Sequence, residues 1–79
     1  MKPELKTFHS KFADILDIDE SDLVSQYKID ESNVDSLAML SLAALVVELF
    51  GIELDSNALD KCENYSDLLD LIKSKLKDA

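Results

Sequence analysis

The sequence predicts an all-α fold, a small antiparallel four-helix bundle with three longer helices, one short one and a long first loop. Three observations carry that expectation. Apolar residues recur at three- and four-residue steps in three separate stretches, the spacing that places them on one face of a helix. The one proline, Pro3, and the one glycine, Gly51, stand where a helix would start and stop. Finally, 79 residues without low-complexity sequence suit one small domain, 1–79, near the size at which a single apolar core is only marginally sufficient. Little room is left for an enclosed active site.

The first helix is expected from Pro3 to about Leu16. Leu5, Phe8, Phe12, Ile15 and Leu16 form its buried stripe, and Pro3 suits the first turn. The stretch from Asp17 to Val34 is acidic and its apolar residues are spaced singly, so it reads as a loop pinned by Ile18, Leu23, Tyr27 or Ile29. A loop of that length in a compact domain is commonly functional or mobile. With clustered acids and few anchors, it is expected to bury little surface and to be the least stable part of the molecule.

A second long helix is expected from Ser36 to Phe50, closed by Gly51. Met39, Leu42, Val46, Leu49 and Phe50 fall on one side, and Ser41 and Glu48 mark the opposite, solvent side. Leu37, Leu40, Ala44 and Val47 surround that polar pair, so the helix is apolar almost all round and should expose a greasy strip to a partner. Ile52-Glu53-Leu54 reads as an extended link, and a short helix is expected from Ser56 to about Cys62. The last helix starts at Asn64 as N-cap with Asp67 in capping-box position. Tyr65, Leu68, Leu69, Ile72 and Leu76 form its stripe, and Lys73, Lys75 and Lys77 suit its negative end.

Charge and cysteine content narrow the functional classes. Seventeen acidic residues against eight basic ones give a formal charge of −9. That charge repels phosphate backbones and anionic membranes and attracts basic protein surfaces, so nucleic-acid binding is not expected. Met1-Lys2-Pro3-Glu4 lacks the layout of a signal peptide and the apolar run Leu42–Val47 is too short for a bilayer, so a soluble, cytoplasmic monomer with no membrane insertion is expected. The single Cys62 leaves no internal disulfide and suits a reducing compartment.

The chemistry centres on Asp35-Ser36-Leu37, where a serine at a helix start follows an acidic loop. Taken alone, such a serine is most often a structural cap. Its surroundings are more specific. Asn33-Val34-Asp35-Ser36-Leu37, then an apolar helix, then Phe50-Gly51-Ile52-Glu53-Leu54, a short helix and a terminal Leu68–Ile72 helix resemble the acyl carrier proteins over essentially the whole chain. The resemblance implies a covalent 4′-phosphopantetheine on Ser36, attached from coenzyme A by a phosphopantetheinyl transferase, with Asp35 orienting the serine and the transferase's magnesium. It implies a non-catalytic protein that carries acyl groups as thioesters to ligases, acyltransferases or synthases of lipid or secondary-metabolite biosynthesis. Leu37, Leu40, Ser41, Ala44, Val47 and Glu48 would then face those partners.

This chain departs from the family at three places. Ser32-Asn33 replaces a frequent Leu-Gly pair, and because asparagine tolerates left-handed backbone better than most residues, the turn is expected to be kept. Ala38, Ser41 and Val47 stand where carriers of central fatty-acid synthesis tend to have acids, which implies a specialised carrier instead of the housekeeping one. Cys62 takes a position usually aliphatic, as a small buried thiol can. The main competing reading is an acidic helical interaction module without a prosthetic group. A triad of His9, Asp35 and Ser36 has only its residue types in its favour. Asp17, Asp19, Ser21 and Asp22 lack the glycine and closing glutamate of a calcium loop, so no metal site is expected.

Overall fold

The computed structural model describes residues 3–78; Met1 and Lys2, read above in the signal-peptide argument, and Ala79 lie outside the described residues. Four α-helices follow one another: α1 Pro3–Leu16, α2 Ser36–Phe50, α3 Ser56–Asp60 and α4 Tyr65–Asp78, with one turn of 3-10 helix at Glu20–Asp22. Among the described residues none of the helices is long and apolar enough to cross a membrane.

In α1, Leu5, Phe8, Phe12 and Ala13 are buried, and Ile15 and Leu16 are half-buried. The helix ends without glycine. Asp17 takes the left-handed conformation (φ 58°), its N–H donating to the Asp14 carbonyl (3.1 Å) and that of Ile18 to the Ala13 carbonyl (3.0 Å). These two bonds are the Schellman pattern, which aspartate can support because it tolerates positive φ better than most residues. Gly51 closes α2 at φ 69°, donating to the Val47 carbonyl at 2.9 Å. The inward face of α2 is wider than its sequence stripe. Leu42, Leu45 and Val46 are buried, whereas Met39, Leu49 and Phe50 are half-buried.

The short helix ends two residues before the expected Cys62. Beyond Asp60 the hydrogen bonding tightens: the Lys61 N–H donates to Ala58 and the Cys62 N–H to Leu59, both three residues back, so the chain finishes in a 3-10 turn. In α4, Tyr65, Leu68 and Ile72 are buried and Leu69 and Leu76 half-buried.

Contacts at the ends give the helix directions. Leu5 meets Leu49, Phe50 and Leu76 around one cleft, and Ile15 and Leu16 meet Leu37 and Ala38 around another. Phe12 lies against Tyr65 in a tilted arrangement, with ring centroids 6.0 Å apart. α1 is therefore antiparallel to both α2 and α4, while α2 and α4 point the same way. The segment from Gly51 to Asn64, with α3 in it, carries the chain back along α2.

The loop between α1 and α2 buries more than its sequence suggests. Leu23, Ile29 and Val34 are all buried in the main core, and Ile18 and Tyr27 pack against it. Its backbone is also tied to the start of α4, where Ile29 donates to the Glu63 carbonyl (3.0 Å), Tyr65 to Tyr27 (2.9 Å) and Ser66 to Ser25 (3.0 Å). Irregularly spaced apolar residues cannot show this, because anchors that reach one common core from an irregular loop leave no local period.

Candidate functional site

The approach to α2 is set by Asp30. One of its carboxylate oxygens accepts from the Ser32 and Asn33 N–H groups (both 3.1 Å), and its carbonyl accepts from Val34 (2.7 Å). This turn is the aspartate-centred kind that fixes a chain reversal through its own side chain. The Asn33 side-chain amide donates to the Lys28 carbonyl (3.1 Å), and Val34 is almost fully buried. The residue before the helix start is thus anchored, and Asp35 and Ser36 emerge at the surface.

The helix cap is Asp35, not Ser36. Asp35 has extended backbone (φ −74°, ψ −179°) and its carboxylate accepts from the Ala38 N–H at 2.8 Å. A carboxylate is the better cap here, because it both fills an orphan donor and meets the positive end of the helix. Ser36 is then the first residue of α2, exposed, its hydroxyl released from the capping task. Met39 donates to the Asp35 carbonyl (2.9 Å), so of the first four N–H groups of α2 those of Ser36 and Leu37 have no hydrogen-bond partner among the described residues. An exposed hydroxyl beside two free amides at a helix N-terminus can hold a phosphodiester, the charged end of a phosphopantetheine.

From Ser36 the outer face of α2 continues the site. Leu37 is 74% exposed, Leu40 69% and Val47 47%, and Ser41, Ala44 and Glu48 are exposed with them. All six fall within one face of the helix, and only Glu48 is charged. On the other side of Ser36 lies a surface cleft of about 590 Å³. Ile29 and Val34 of the loop, Met39 and Ala43 of α2, and Leu54 and Leu59 line it, with Asp30, Glu31, Asp35 and Asp60 among its polar residues. The cleft was not legible in the sequence, since it forms where the stretch 29–43 meets the stretch 54–60, which no local pattern links. The nearest signal was Val34, an apolar residue set against Ser36 at the end of an acidic stretch.

His9 does not join Ser36. Its Nε2 lies 2.8 Å from the Glu20 carbonyl and its Nδ1 2.9 Å from the Tyr65 hydroxyl. Because a carbonyl only accepts, Nε2 carries the hydrogen of that bond, and Nδ1 pairs with the Tyr65 hydroxyl. Both nitrogens are occupied in tying α1 to the loop and to α4, so the imagined triad is not assembled. Burial pushes the Tyr65 hydroxyl up to about 12. Cys62 is buried, with its thiol 3.6 Å from the Ala58 carbonyl, and burial followed by the charge of Asp67 raises its pKa, which makes it a poor nucleophile. Among the described residues no group of three or more His, Cys, Asp or Glu could hold a metal ion.

A protein-family model described as a phosphopantetheine attachment site matches residues 6–72, a span that contains the turn at Asp30, the Asp35 cap, Ser36 and all of α2. No curated protein matches the chain.

Proposed function

Since the chain belongs to that family, the acyl carriers with covalently bound 4′-phosphopantetheine, we propose that Ser36 is the attachment point and that 1–79 acts as one carrier domain. Domains of this family are typically carriers and not catalysts. The observation that supports Ser36 is its exposed hydroxyl at the first position of α2, next to the free N–H groups of Ser36 and Leu37. A phosphate beside such a helix end gains about 0.3–1 kcal/mol at an exposed site. Asp35 orients the serine, a role that its cap on Ala38 supports, and its carboxylate meets the transferase's magnesium. The arm supplies a thiol on which acyl cargo is held as a thioester.

Partner enzymes, a phosphopantetheinyl transferase and then a ligase, acyltransferase or synthase, meet the exposed face of Leu37, Leu40, Ser41, Ala44, Val47 and Glu48. Because that face carries a single acid, its contacts are chiefly apolar, and the remaining negative charge steers encounter. This favours a specialised carrier over the housekeeping fatty-acid one. The test is intact-mass measurement after incubation with coenzyme A and a broad-specificity transferase. Wild type should gain one phosphopantetheine and Ser36→Ala none, with unchanged circular dichroism. Modification of Ser36→Ala would reject the site, and a wild type that gains no mass would favour the interaction module without a prosthetic group.

A further inference from the structure

Asp30, Glu31, Ser32 and Asn33, which lead from Ile29 to Val34, are all exposed, whereas Ile29 and Val34 are buried. Burial fixes the two ends of this turn but not its middle. The carboxylates of Asp30, Glu31 and Asp35, crowded into six residues, repel one another and favour its opening. Side-chain hydrogen bonds oppose that. Asp30 supplies the acceptor for the Ser32 and Asn33 N–H groups, and the Asn33 side-chain amide reaches back to the Lys28 carbonyl. Lys28 is bridged to Asn64, and the Ile29 N–H donates to the Glu63 carbonyl (3.0 Å), so the bonds run from the lead into α4 through the turn to Val34, two residues before Ser36. Asn33 does this with its side chain and not with left-handed backbone, since among the described residues positive φ occurs only at Asp17 and Gly51.

We propose that Asp30 and Asn33 are positioning residues for phosphopantetheine transfer, locking the turn so that Ser36 is held in one place before a transferase arrives. This inference rests on the carrier reading with Ser36 as the attachment point. In the transfer, Ser36 Oγ bonds to the phosphorus of coenzyme A that bears the pantetheine, and the bond from that phosphorus to the bridging oxygen breaks. The serine proton passes to a base of the transferase, and the nucleotide bisphosphate leaves. Only a conformer that places the serine oxygen in line with the breaking bond can react. When the turn opens, a smaller fraction of the free carrier is competent. The apparent affinity of the transferase falls with that fraction, while the complex once formed reacts as before. The lock therefore acts on KM and leaves kcat unchanged.

The experiment measures steady-state transfer from coenzyme A by a broad-specificity transferase at varied carrier concentration, with intact mass reporting the product. Wild type is compared with Asp30→Ala, Asp30→Asn, Asn33→Ala and Leu76→Ala. The two Asp30 variants lose the same charge, but only asparagine keeps an oxygen for the Ser32 and Asn33 amides. Asp30→Ala and Asn33→Ala should raise KM about threefold to tenfold, the weight of one net hydrogen bond, at unchanged kcat. Asp30→Asn should keep the wild-type KM, as should Leu76→Ala, which loosens the fold at the far end beside Leu5. In the free protein, hydrogen exchange at the Val34 amide should quicken in Asp30→Ala and Asn33→Ala alone. A wild-type KM in either of those two, an equal rise in Asp30→Asn or Leu76→Ala, or a fall in kcat at constant KM would overturn the proposal. So would a raised KM with unchanged Val34 exchange, which would mean that the side chains touch the transferase instead of holding the turn. A wild type that takes up no phosphopantetheine would strike the carrier reading and this inference with it.

Discussion

Two of the helices begin in opposite ways. At α4 every early donor is taken. Tyr65 and Ser66 donate to carbonyls of the distant loop, Asp67 donates to the Asn64 side chain (2.9 Å), and the Asp67 carboxylate reaches back to the Glu63 N–H (3.1 Å). At α2 the Asp35 side chain serves only Ala38, and the Ser36 and Leu37 amides have no partner among the described residues. Side chains follow the same division. Tyr65 is 3% exposed, whereas Leu37 is 74% exposed. A helix start closed by the rest of the fold holds the structure together, and one left open is available for a ligand or partner.

The largest expected effect contrasts those two side chains. Tyr65→Ala removes a buried ring packed on Phe12, and the hydroxyl bonded to His9, and should lower unfolding free energy by about 3–5 kcal/mol in urea titration. Leu37→Ala should change it by less than about 0.5 kcal/mol. Similar losses in both would erase the distinction.

A smaller contrast is between the caps. Asp35→Ala and Asn64→Ala should each lower unfolding free energy by about 0.5–2 kcal/mol, since each removes one capping acceptor. Only Asp35→Ala should also slow phosphopantetheine transfer to the protein. Equal slowing in both variants would mean that the effect comes from general loosening and not from the open start.

The alkaline limb gives a third contrast. A tyrosine in the unfolded chain ionises near pH 10, as model peptides do, whereas Tyr65 in the fold ionises only at about 12. Stability is therefore complete below about pH 10 and falls as pH rises through the window to about 12, because the unfolded state loses that proton first. Melting temperature measured from pH 9 to 12 should show this fall in the wild type and a shallower one in Tyr65→Phe. Superimposable curves would mean that Tyr65 is not the group responsible.

How far the sequence could be read follows from what each feature depends on. The ranges Pro3–Leu16 and Ser36–Phe50 and the Gly51 stop depend on local period and local conformational freedom, and they were legible. Asn64 as cap was legible too, although the Asp67 carboxylate reaches Glu63 and not Asn64 itself. Which of Asp35 and Ser36 caps α2 was not legible, because serine and aspartate both cap and only the backbone angles decide which residue stands outside the helix. The stitching of the loop to α4 depends on residues more than 30 apart in sequence, and the cleft that the loop helps to form joins the stretch 29–43 to the stretch 54–60. No period or motif records such pairings. The exposed strip on α2 was legible for the opposite reason, since a helix apolar all round in so small a chain has more apolar surface than one core can cover.

The central claim is that the open start of α2 holds the phosphodiester. Amide nitrogen and proton shifts of the protein before and after modification with phosphopantetheine test it most directly. The Ser36 and Leu37 amides should move most, in the direction of a hydrogen bond to phosphate, while those of Tyr65 and Ser66 stay in place. Unmoved Ser36 and Leu37 amides in a protein shown by mass to be modified would contradict the account.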